Sequence, residues 1–297
     1  MIKAMNLTKK FDDLLAVDHI NAEIKSGSVF GLIGTNGAGK STFLRLAAGI
    51  LKADGGHVTI DGEEVFENIK AKKKFFYIPD DAHFFSNASP LDMMEYYSVV
   101  YEHFDKDRFH KLMGNFGLDA KRKLHTFSKG MKKQVSVILG ICSNTDYLFC
   151  DETFDGLDPV MRRQIWSLIL SDVAERGTTV LVSSHNLREL EDVCDHVGIM
   201  HHGQMLLERS LSDMQGSTVK LQIVPNDADQ LPEGLEILHE SSAGRMKTLI
   251  VRGTPQDVSA QAAAAGPIYY ELIPLTLEEI FIYELGGVDY AVNEIIL

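Results

Sequence analysis

Cysteine is scarce in this chain, and its spacing does not indicate a metal or redox site. The 297 residues contain three cysteines, which stand far apart in apolar runs: Cys142, Cys150 and Cys194. Zinc sites and redox motifs need cysteines at short, regular spacings. We therefore expect buried, reduced thiols, as is usual in cytosolic proteins.

Long apolar segments are also missing. The N-terminal stretch MIKAMNLTKKFDD has no apolar core of the kind that a secretory signal needs. Uninterrupted apolar runs stay well short of the roughly 20 residues needed to cross a bilayer. Internal repeats with a period of about 20–50 residues are not visible either. We expect a soluble chain, which is still free to dock onto a membrane protein.

The chain lacks an excess of positive charge. Its formal net charge is −13, whereas proteins that bind nucleic acids present basic faces to the phosphate backbone. We therefore expect no nucleic acid among the partners. The charge is also uneven, because residues 216–297 carry 4 basic and 12 acidic side chains, against 25 and 30 in residues 1–215. This asymmetry fits two units with different roles, although an acidic solvated surface explains it equally well.

Apolar strands alternate with amphipathic helices through most of the chain. This order is typical of an α/β fold with a mostly parallel sheet. The turn Asp61-Gly62 predicts a β-hairpin, part of an antiparallel β subdomain. Residues 81–145 or so indicate a helical insert. Two domains are predicted: residues 1–216, and a small C-terminal α+β appendage of residues 217–297.

Several helix boundaries are predicted from capping residues. Ser89 followed by Pro90 is typical of a helix start, and this helix is expected to extend to about Phe104. A later helix is predicted over residues 187–195. The last helix is expected to begin with a capping box formed by Thr276 and Glu279.

The segment GTNGAGKS, residues 34–41, carries the strongest functional signal. It follows the apolar run VFGLI and opens a helix, so it fits the pattern G-x-x-x-x-G-K-[ST] in the required context. Its glycines let backbone amides surround a phosphate, while Lys40 would reach the β- and γ-phosphates and Ser41 would bind Mg²⁺. We therefore predict a P-loop NTPase whose nucleotide contacts come from consecutive residues: Gly34, Thr35, Asn36, Gly37, Ala38, Gly39, Lys40, Ser41 and Thr42.

Acidic and polar side chains follow two further predicted strands. YLFCDE places Asp151 and Glu152 at a strand end, where Asp151 would hold Mg²⁺ through water and Glu152 would orient the attacking water. His185 follows the strand TVLVSS, a position that favours contact with the γ-phosphate. Each residue alone has a plainer explanation, since paired carboxylates often begin a loop and a lone histidine is usually structural.

The segment HTFSKGMKKQ, residues 125–134, is an unusual helix start. Ser128 is the expected N-cap, and lysines occupy the first turn, where acidic residues are normally favoured. Free amides, a hydroxyl and cations at a helix N-terminus suit a phosphate. Because a P-loop already encloses its own nucleotide, we predict that Ser128, Lys129 and Gly130 bind the γ-phosphate of a second copy in a head-to-tail dimer.

Taken together, these motifs resemble those of the ATP-binding subunits of ABC transporters over residues 1–216. FSKGM (127–131) stands where the family has LSGGQ, GLDP (156–159) resembles the D-loop, and His185 resembles the switch histidine. The resemblance implies that Phe11 stacks on adenine and that Asp158 contributes to the nucleotide site. It implies an ATPase that uses ATP and Mg²⁺ and pairs with a second ATP-binding subunit, identical or different. Such a subunit is cytoplasmic and sits at the inner face of the membrane.

Two departures from the family pattern stand out. The signature has Lys129 and Met131 in place of glycine and glutamine. In addition, IPDD places Asp80 where the family has a glutamine, or in some members a glutamate, that contacts Mg²⁺. We expect Asp80 to serve as a metal ligand, through water.

The resemblance also implies that a membrane permease docks near residues 81–105. Aromatic, methionine and histidine side chains are the candidates for this contact: His83, Phe84, Phe85, Met93, Met94, Tyr96 and Tyr97. Those at helical spacing are better explained as the core of the insert. Phe84 and Phe85, which precede the helix, are the better docking candidates.

We predict an ATPase that powers a separate membrane permease. The ending IPLTLEEIF resembles subunits of the ABC-2 exporter type and favours export. Two other interpretations stay open: a non-transport ABC ATPase acting on ribosomes or DNA, and a nucleotide-switched regulatory module. A single ATPase domain without a heptad run disfavours the first. The pair Glu152 and His185 disfavours the second, whereas Asp80 keeps it open.

Overall fold

The computed structural model describes residues 1–210, 218–226, 231–276 and 278–279. The strands, in chain order, are β1 (Ile2–Phe11), β2 (Leu14–Ile24), β3 (Val29–Ile33), β4 (Gly55–Ile60), β5 (Glu63–Glu64), β6 (Phe75–Ile78), β7 (Tyr147–Asp151), β8 (Thr179–Ser184), β9 (His196–His201), β10 (Gln204–Ser210), β11 (Thr218–Val224), β12 (Glu236–Ala243), β13 (Met246–Arg252) and β14 (Tyr269–Ile273). The helices are α1 (Lys40–Ala47), α2 (Ile69–Lys72), α3 (Pro90–Val100), α4 (Lys106–Asn115), α5 (Lys129–Cys142), α6 (Pro159–Arg176), α7 (Leu187–Glu191) and α8 (Pro255–Ala264).

The chain forms two compact units: residues 1–186 with 193–208, and residues 187–192 with the described part of 209–297. Two sheets build the first unit. One is antiparallel, with strand order β2-β1-β4-β5, and the other has six strands in the order β10-β9-β3-β8-β7-β6. Strands β6, β7, β8, β3 and β9 run parallel to one another. The predicted α/β class, with a parallel sheet and an antiparallel subdomain, is confirmed.

One core joins the two sheets of the first unit. Phe43 and Leu44 of α1 are buried in it, together with Leu7 of β1 and Phe149 of β7. Strand β3 is buried along its whole length, which is usual for a central strand of a parallel sheet. The segment between β6 and β7 contains α3, α4 and α5, at the place where the helical insert was predicted.

Local signals in the sequence set several turns and caps. Asp61 and Gly62 both have positive φ angles, 52° and 80°, as the predicted two-residue hairpin requires. Ser89 caps α3 and forms a reciprocal capping box with Asp92. The predicted extension of α3 to Phe104 is wrong, because the chain turns to an extended conformation at Tyr101 (φ −108°, ψ 113°). Helix α7 likewise ends at Glu191, before the predicted residue 195.

The second unit has its own sheet and its own core. The strand order is β12-β13-β11-β14, and all described pairings in this sheet are antiparallel. Apolar side chains on one face, including Leu221 and Val251, pack against Val258 of α8. The predicted capping box is present, since the Glu279 amide donates to the Thr276 hydroxyl at 3.2 Å and the Thr276 amide donates to the Glu279 carboxylate at 3.0 Å. The remainder of that predicted helix lies outside the described residues.

No helix in the described ranges combines the length and the apolar character that a membrane span requires.

Candidate active site

The loop of residues 34–39 joins β3 to α1 and is held tightly by its neighbours. A Cβ atom on Gly34 would lie 2.4 Å from the carbonyl oxygen of Met200, and one on Gly39 would lie 2.3 Å from that of Ala16. Gly39 also has φ of 104°, which other residues adopt only with strain. Glycine is therefore required at both ends of the loop by close contact, and at Gly39 by backbone angle as well.

Lys40 begins α1 and is almost completely buried, with 3% of its surface exposed. Its ammonium group donates to the carbonyl oxygens of Gly34 at 2.7 Å and Thr35 at 3.1 Å. It also lies 3.3 Å from Oε1 of Glu152. The P-loop lysine and the predicted catalytic carboxylate are thus in direct contact. Electrostatic attraction is stronger where water is excluded, and the Lys40 side chain is 3% exposed while that of Glu152 is 20% exposed.

Asp151 ends β7 and is the centre of a hydrogen-bond cluster. Ser41 and Ser183 each donate to its Oδ1 at 2.8 Å, and Tyr77 donates to its Oδ2 at 2.9 Å. Strand β8 lies between β7 and β3, so Ser41 reaches Asp151 across an intervening strand. Because hydroxyl and carboxylate oxygens are ligands that Mg²⁺ prefers, the pair Ser41 and Asp151 fits a Mg²⁺ site.

Two members of this cluster were not predicted. Tyr77 occupies the single polar position of the strand FFYI, and Ser183 follows the apolar run of β8. Burial, with the nearby Asp151 carboxylate, raises the pKa of Tyr77, so its hydroxyl stays a donor. A polar residue in an otherwise apolar strand was the available signal for Tyr77.

Glu152 takes an unusual backbone conformation just after β7. Its φ angle is 44°, in the left-handed region that residues with a side chain rarely adopt. Its amide donates to the hydroxyl of Ser183 at 3.0 Å, and its carbonyl oxygen accepts from Lys133 at 2.8 Å. The backbone of Glu152 is therefore held on both sides, and its carboxylate points towards Lys40.

His185 lies next to Glu152, at the end of β8, and contacts a carboxylate that was not predicted. Its Nδ1 lies 3.2 Å from Oδ2 of Asp155. The potential ligand atoms of Glu152, Asp155 and His185 all lie within 4.8 Å of one another. Burial raises the pKa of the Asp155 carboxyl; His185 opposes this shift, and the charge of Glu152 adds to it. Asp155 therefore orients the imidazole from a partly buried position.

The predicted signature residues begin α5. Ser128 is the N-cap, and its side chain accepts from the Met131 amide at 3.2 Å. Ser128 and Lys129 are exposed, and Gly130 is half-buried. From Lys133 onwards the helix is buried. The helix start thus faces solvent, while the rest of the helix is anchored in the unit.

Phe11 and Asp158 lie elsewhere in the first unit. Phe11 ends β1, is 42% exposed, and has the ammonium of Lys9 5.4 Å from its ring centroid. Asp158 caps α6 and accepts from the amides of Val160 and Met161. Their assignment to the nucleotide site stays a prediction.

Asp80 follows β6, and two lysines of α5 surround it. Its Oδ1 lies 3.0 Å from the ammonium of Lys133 and 3.8 Å from that of Lys129. The inward direction of Lys133 was not predicted, because the sequence suggested that the lysines of this turn face a phosphate together. The structure thus places Asp80 beside cations, and its role as a metal ligand stays a prediction.

Comparison with known proteins agrees with this architecture. The family model described as ABC transporter matches residues 17–155. The ATP-binding protein YtrB of Bacillus subtilis is 28% identical over 288 residues, which cover 97% of this chain and 99% of that protein. The bacitracin transport ATP-binding protein BcrA of Bacillus licheniformis is 33% identical, over 70% of this chain and 69% of its own length.

A solved structure shows the same fold. It is a dimeric ATP-binding cassette in a post-hydrolysis state with ADP and phosphate, which matches with a TM-score of 0.63 and 21% identity over 71% of this chain and 99% of its own. The chain belongs to the family of ABC transporter ATP-binding proteins. Members of this family bind ATP, and their ATP-binding domains are ATPases.

Proposed function

We propose that this chain is the ATP-hydrolysing subunit of an ABC transporter, which dimerises on ATP and powers a separate membrane permease. The main support is the assembly of Lys40, Ser41, Asp151 and Glu152 from two separate segments into one charged cluster. Phosphoryl transfer to water requires this combination of phosphate ligands, oxygen ligands for a metal and a carboxylate.

Each residue of the cluster has a distinct part in hydrolysis. The loop amides and Lys40 hold the β- and γ-phosphates, and the carboxylate of Glu152 orients the attacking water and accepts its proton. His185, held by Asp155, contacts the γ-phosphate. When bound by Ser41 and Asp151, Mg²⁺ supplies positive charge that offsets the charge of the phosphate oxygens.

The exposed start of α5 is the part of the site that suits a second copy. Its free amides, the Ser128 hydroxyl and the Lys129 ammonium offer donors and positive charge to an anion. We propose that they contact the γ-phosphate held by the other subunit, with Asp158 nearby in the D-loop-like turn. A related cassette that forms a dimer with ADP and phosphate supports this arrangement.

A groove in the first unit is the proposed docking place of the permease, close to residues 81–105. It has a volume of about 400 Å³, and its lining includes Phe76, Tyr97 and Tyr101. Phe85 is 56% exposed and packs edge-on against Tyr96, so both are open to a partner.

The other candidate residues for the permease contact differ in how far they are buried. Met93 and Met94 are buried in the unit, as the core explanation predicted. His83 is exposed, and Phe84 is half-buried. Export is the proposed direction, because the ending IPLTLEEIF resembles that of ABC-2 exporters.

Glu152→Gln tests the ATPase and the dimer together. The variant keeps the size of the side chain but removes the charge, so we expect ATP binding to persist, hydrolysis to stop and an ATP-bound dimer to accumulate. Light scattering with and without Mg-ATP measures the dimer, and phosphate release measures turnover. The control is Glu175→Gln, which removes an exposed carboxylate from α6. A Glu152→Gln chain that stays monomeric in ATP would contradict the mechanism.

The permease partner is tested by the ATPase rate with and without the co-purified membrane protein. We expect the membrane protein to change the rate of the wild type, and Phe85→Ala to weaken this effect. Tyr269→Ala removes an exposed aromatic side chain from the second unit and serves as the control. Equal responses in both variants would refute docking at Phe85.

A further inference from the structure

Lys133 is a buried lysine with a complete set of acceptors. Only 2% of its surface is exposed. Its ammonium donates to Oδ1 of Asp80 at 3.0 Å, to the carbonyl oxygen of Glu152 at 2.8 Å and to that of Asp155 at 2.9 Å. An ammonium has three N–H donors, so all three are used. Lys133 therefore ties α5 to the loops that follow β6 and β7.

Glu152 needs such a restraint. The left-handed region is strained for a residue with a side chain, and such a conformation persists only where the surroundings enforce it. Ser183 holds the amide of Glu152 and Lys133 holds its carbonyl group. The two contacts fix the peptide groups on either side of the Cα atom, and so they fix the direction of the carboxylate towards Lys40.

The charge of Lys133 matters for this restraint. Removing an ammonium from water is costly unless the group is paired and hydrogen-bonded. Asp80 supplies the pairing charge, and it remains 44% exposed at its side chain. An apolar side chain of similar length would fill the same space without that cost. Such an apolar side chain could not donate hydrogen bonds to the carbonyl oxygens of Glu152 and Asp155.

We propose that Lys133 is a positioning residue for ATP hydrolysis, and that Asp80 is the counter-ion that keeps it in place. The inference rests on the proposed ATPase function. Since Ser128 is the N-cap of α5, the helix that presents the signature to a second subunit also holds the catalytic glutamate of its own subunit. A shift of α5 on nucleotide binding would thus be transmitted directly to Glu152.

Lys133→Met is the first test, measured in the full-length chain. We expect kcat to fall by about 10- to 100-fold, because small displacements of a reacting group have effects of this size. Affinity for ATP should change by less than about threefold, since the P-loop is untouched; this separates positioning from binding. Lys111→Met removes a charge from the exposed face of α4 and should leave both parameters unchanged.

Asp80→Ala is the second test and distinguishes a counter-ion from a metal ligand. We expect kcat to fall while the Mg²⁺ concentration for half-maximal activity stays the same, and the double variant to be no slower than Lys133→Met. Recovery of Asp80→Ala by excess Mg²⁺ would overturn the counter-ion role. Should Lys133→Met fail to fold, the half-exposed Asp80 still allows this test.

Two failures can be told apart. A wild-type chain that hydrolyses no ATP, alone or with its membrane protein, would refute the proposed function. A wild-type kcat in Lys133→Met would refute only the role of Lys133.

Discussion

Removal of the Asp172 carboxylate should weaken the attachment of the helical insert. Asp172 lies in α6, and its side chain is 7% exposed. Arg108 of α4 donates to both of its oxygens, at 2.7 and 3.1 Å, and Arg176 donates at 3.3 Å. A carboxylate with two-pronged hydrogen bonds to an arginine is a strong and geometrically specific contact. Asp172→Ala would leave two arginines without this partner.

The expected loss follows from the burial of the pair. Removing one member of a buried ion pair costs about 3–5 kcal/mol, because the other charge is left uncompensated. The arginines are 23% and 31% exposed and can regain some water, so we expect about 3 kcal/mol, at the lower end of that range. For a unit of this size, such a loss corresponds to a fall in Tm of roughly 6–12 °C.

Urea unfolding followed by tryptophan fluorescence measures this change directly. Trp166 is the single tryptophan of the chain, lies in α6 and stacks on Phe154 with ring centroids 4.2 Å apart. Asp107→Ala, an exposed carboxylate in the first turn of α4, is the control and should cost less than about 1 kcal/mol. Replacing Arg108 by Met and Asp172 by Leu together should restore the part of the stability that is lost through Arg108. An Asp172→Ala variant within about 1 kcal/mol of the wild type would refute the reasoning.

Three further outcomes follow from the structure. Gly34→Ala places a Cβ atom 2.4 Å from the carbonyl oxygen of Met200, so ATP binding should weaken at least about tenfold. Gly114→Ala, at an open position of α4, should leave ATP binding unchanged. Titration with a fluorescent nucleotide measures both affinities, and equal affinities would contradict the steric argument. Asp155→Asn removes a carboxyl group whose pKa is raised, which makes its ionisation in the native state unfavourable. The wild type should therefore lose stability relative to this variant as pH rises from about 4 to 7, as measured by urea titrations. A difference in unfolding free energy that stays constant with pH would refute the shift. Burial raises the pKa of the Cys142 and Cys150 thiols to about 12, and it raises the pKa of the Cys194 thiol as well. A thiol reagent should therefore label none of these three cysteines before the protein unfolds. Rapid labelling of the native protein would contradict this.

Much of the local structure was predictable because its signals are local. The glycine-rich loop, the Asp61-Gly62 turn and the caps at Ser89 and Ser128 each depend on a few consecutive residues. Strands β1 and β2 were not predicted, although they are the longest among the residues that the structure describes. Their pairing has several register shifts, and Asn6 and His19 have positive φ angles. Such irregularities break the alternation of apolar and polar residues by which strands are recognised.

The candidate active site was predicted only in part, because several of its contacts join residues that are far apart in the chain. Asp151, Glu152 and His185 stand at strand ends, where a sequence pattern can identify them. Tyr77 and Ser183 contact Asp151 from neighbouring strands, and their importance depends on strand order. A lysine in a helix gives no sign of whether it faces solvent or the interior.

The order of residues along the chain determined the P-loop, the acidic strand end and the family to which the protein belongs, because each depends on spacing within a short segment. Only the tertiary structure decided that Ser41 reaches Asp151 across β8, that Lys133 turns inward to Asp80, and that Ser183 and Lys133 together hold the backbone of Glu152. These contacts join residues far apart in the chain, and their energies arise from burial and hydrogen-bond geometry, which exist only once the sheets and helices have packed.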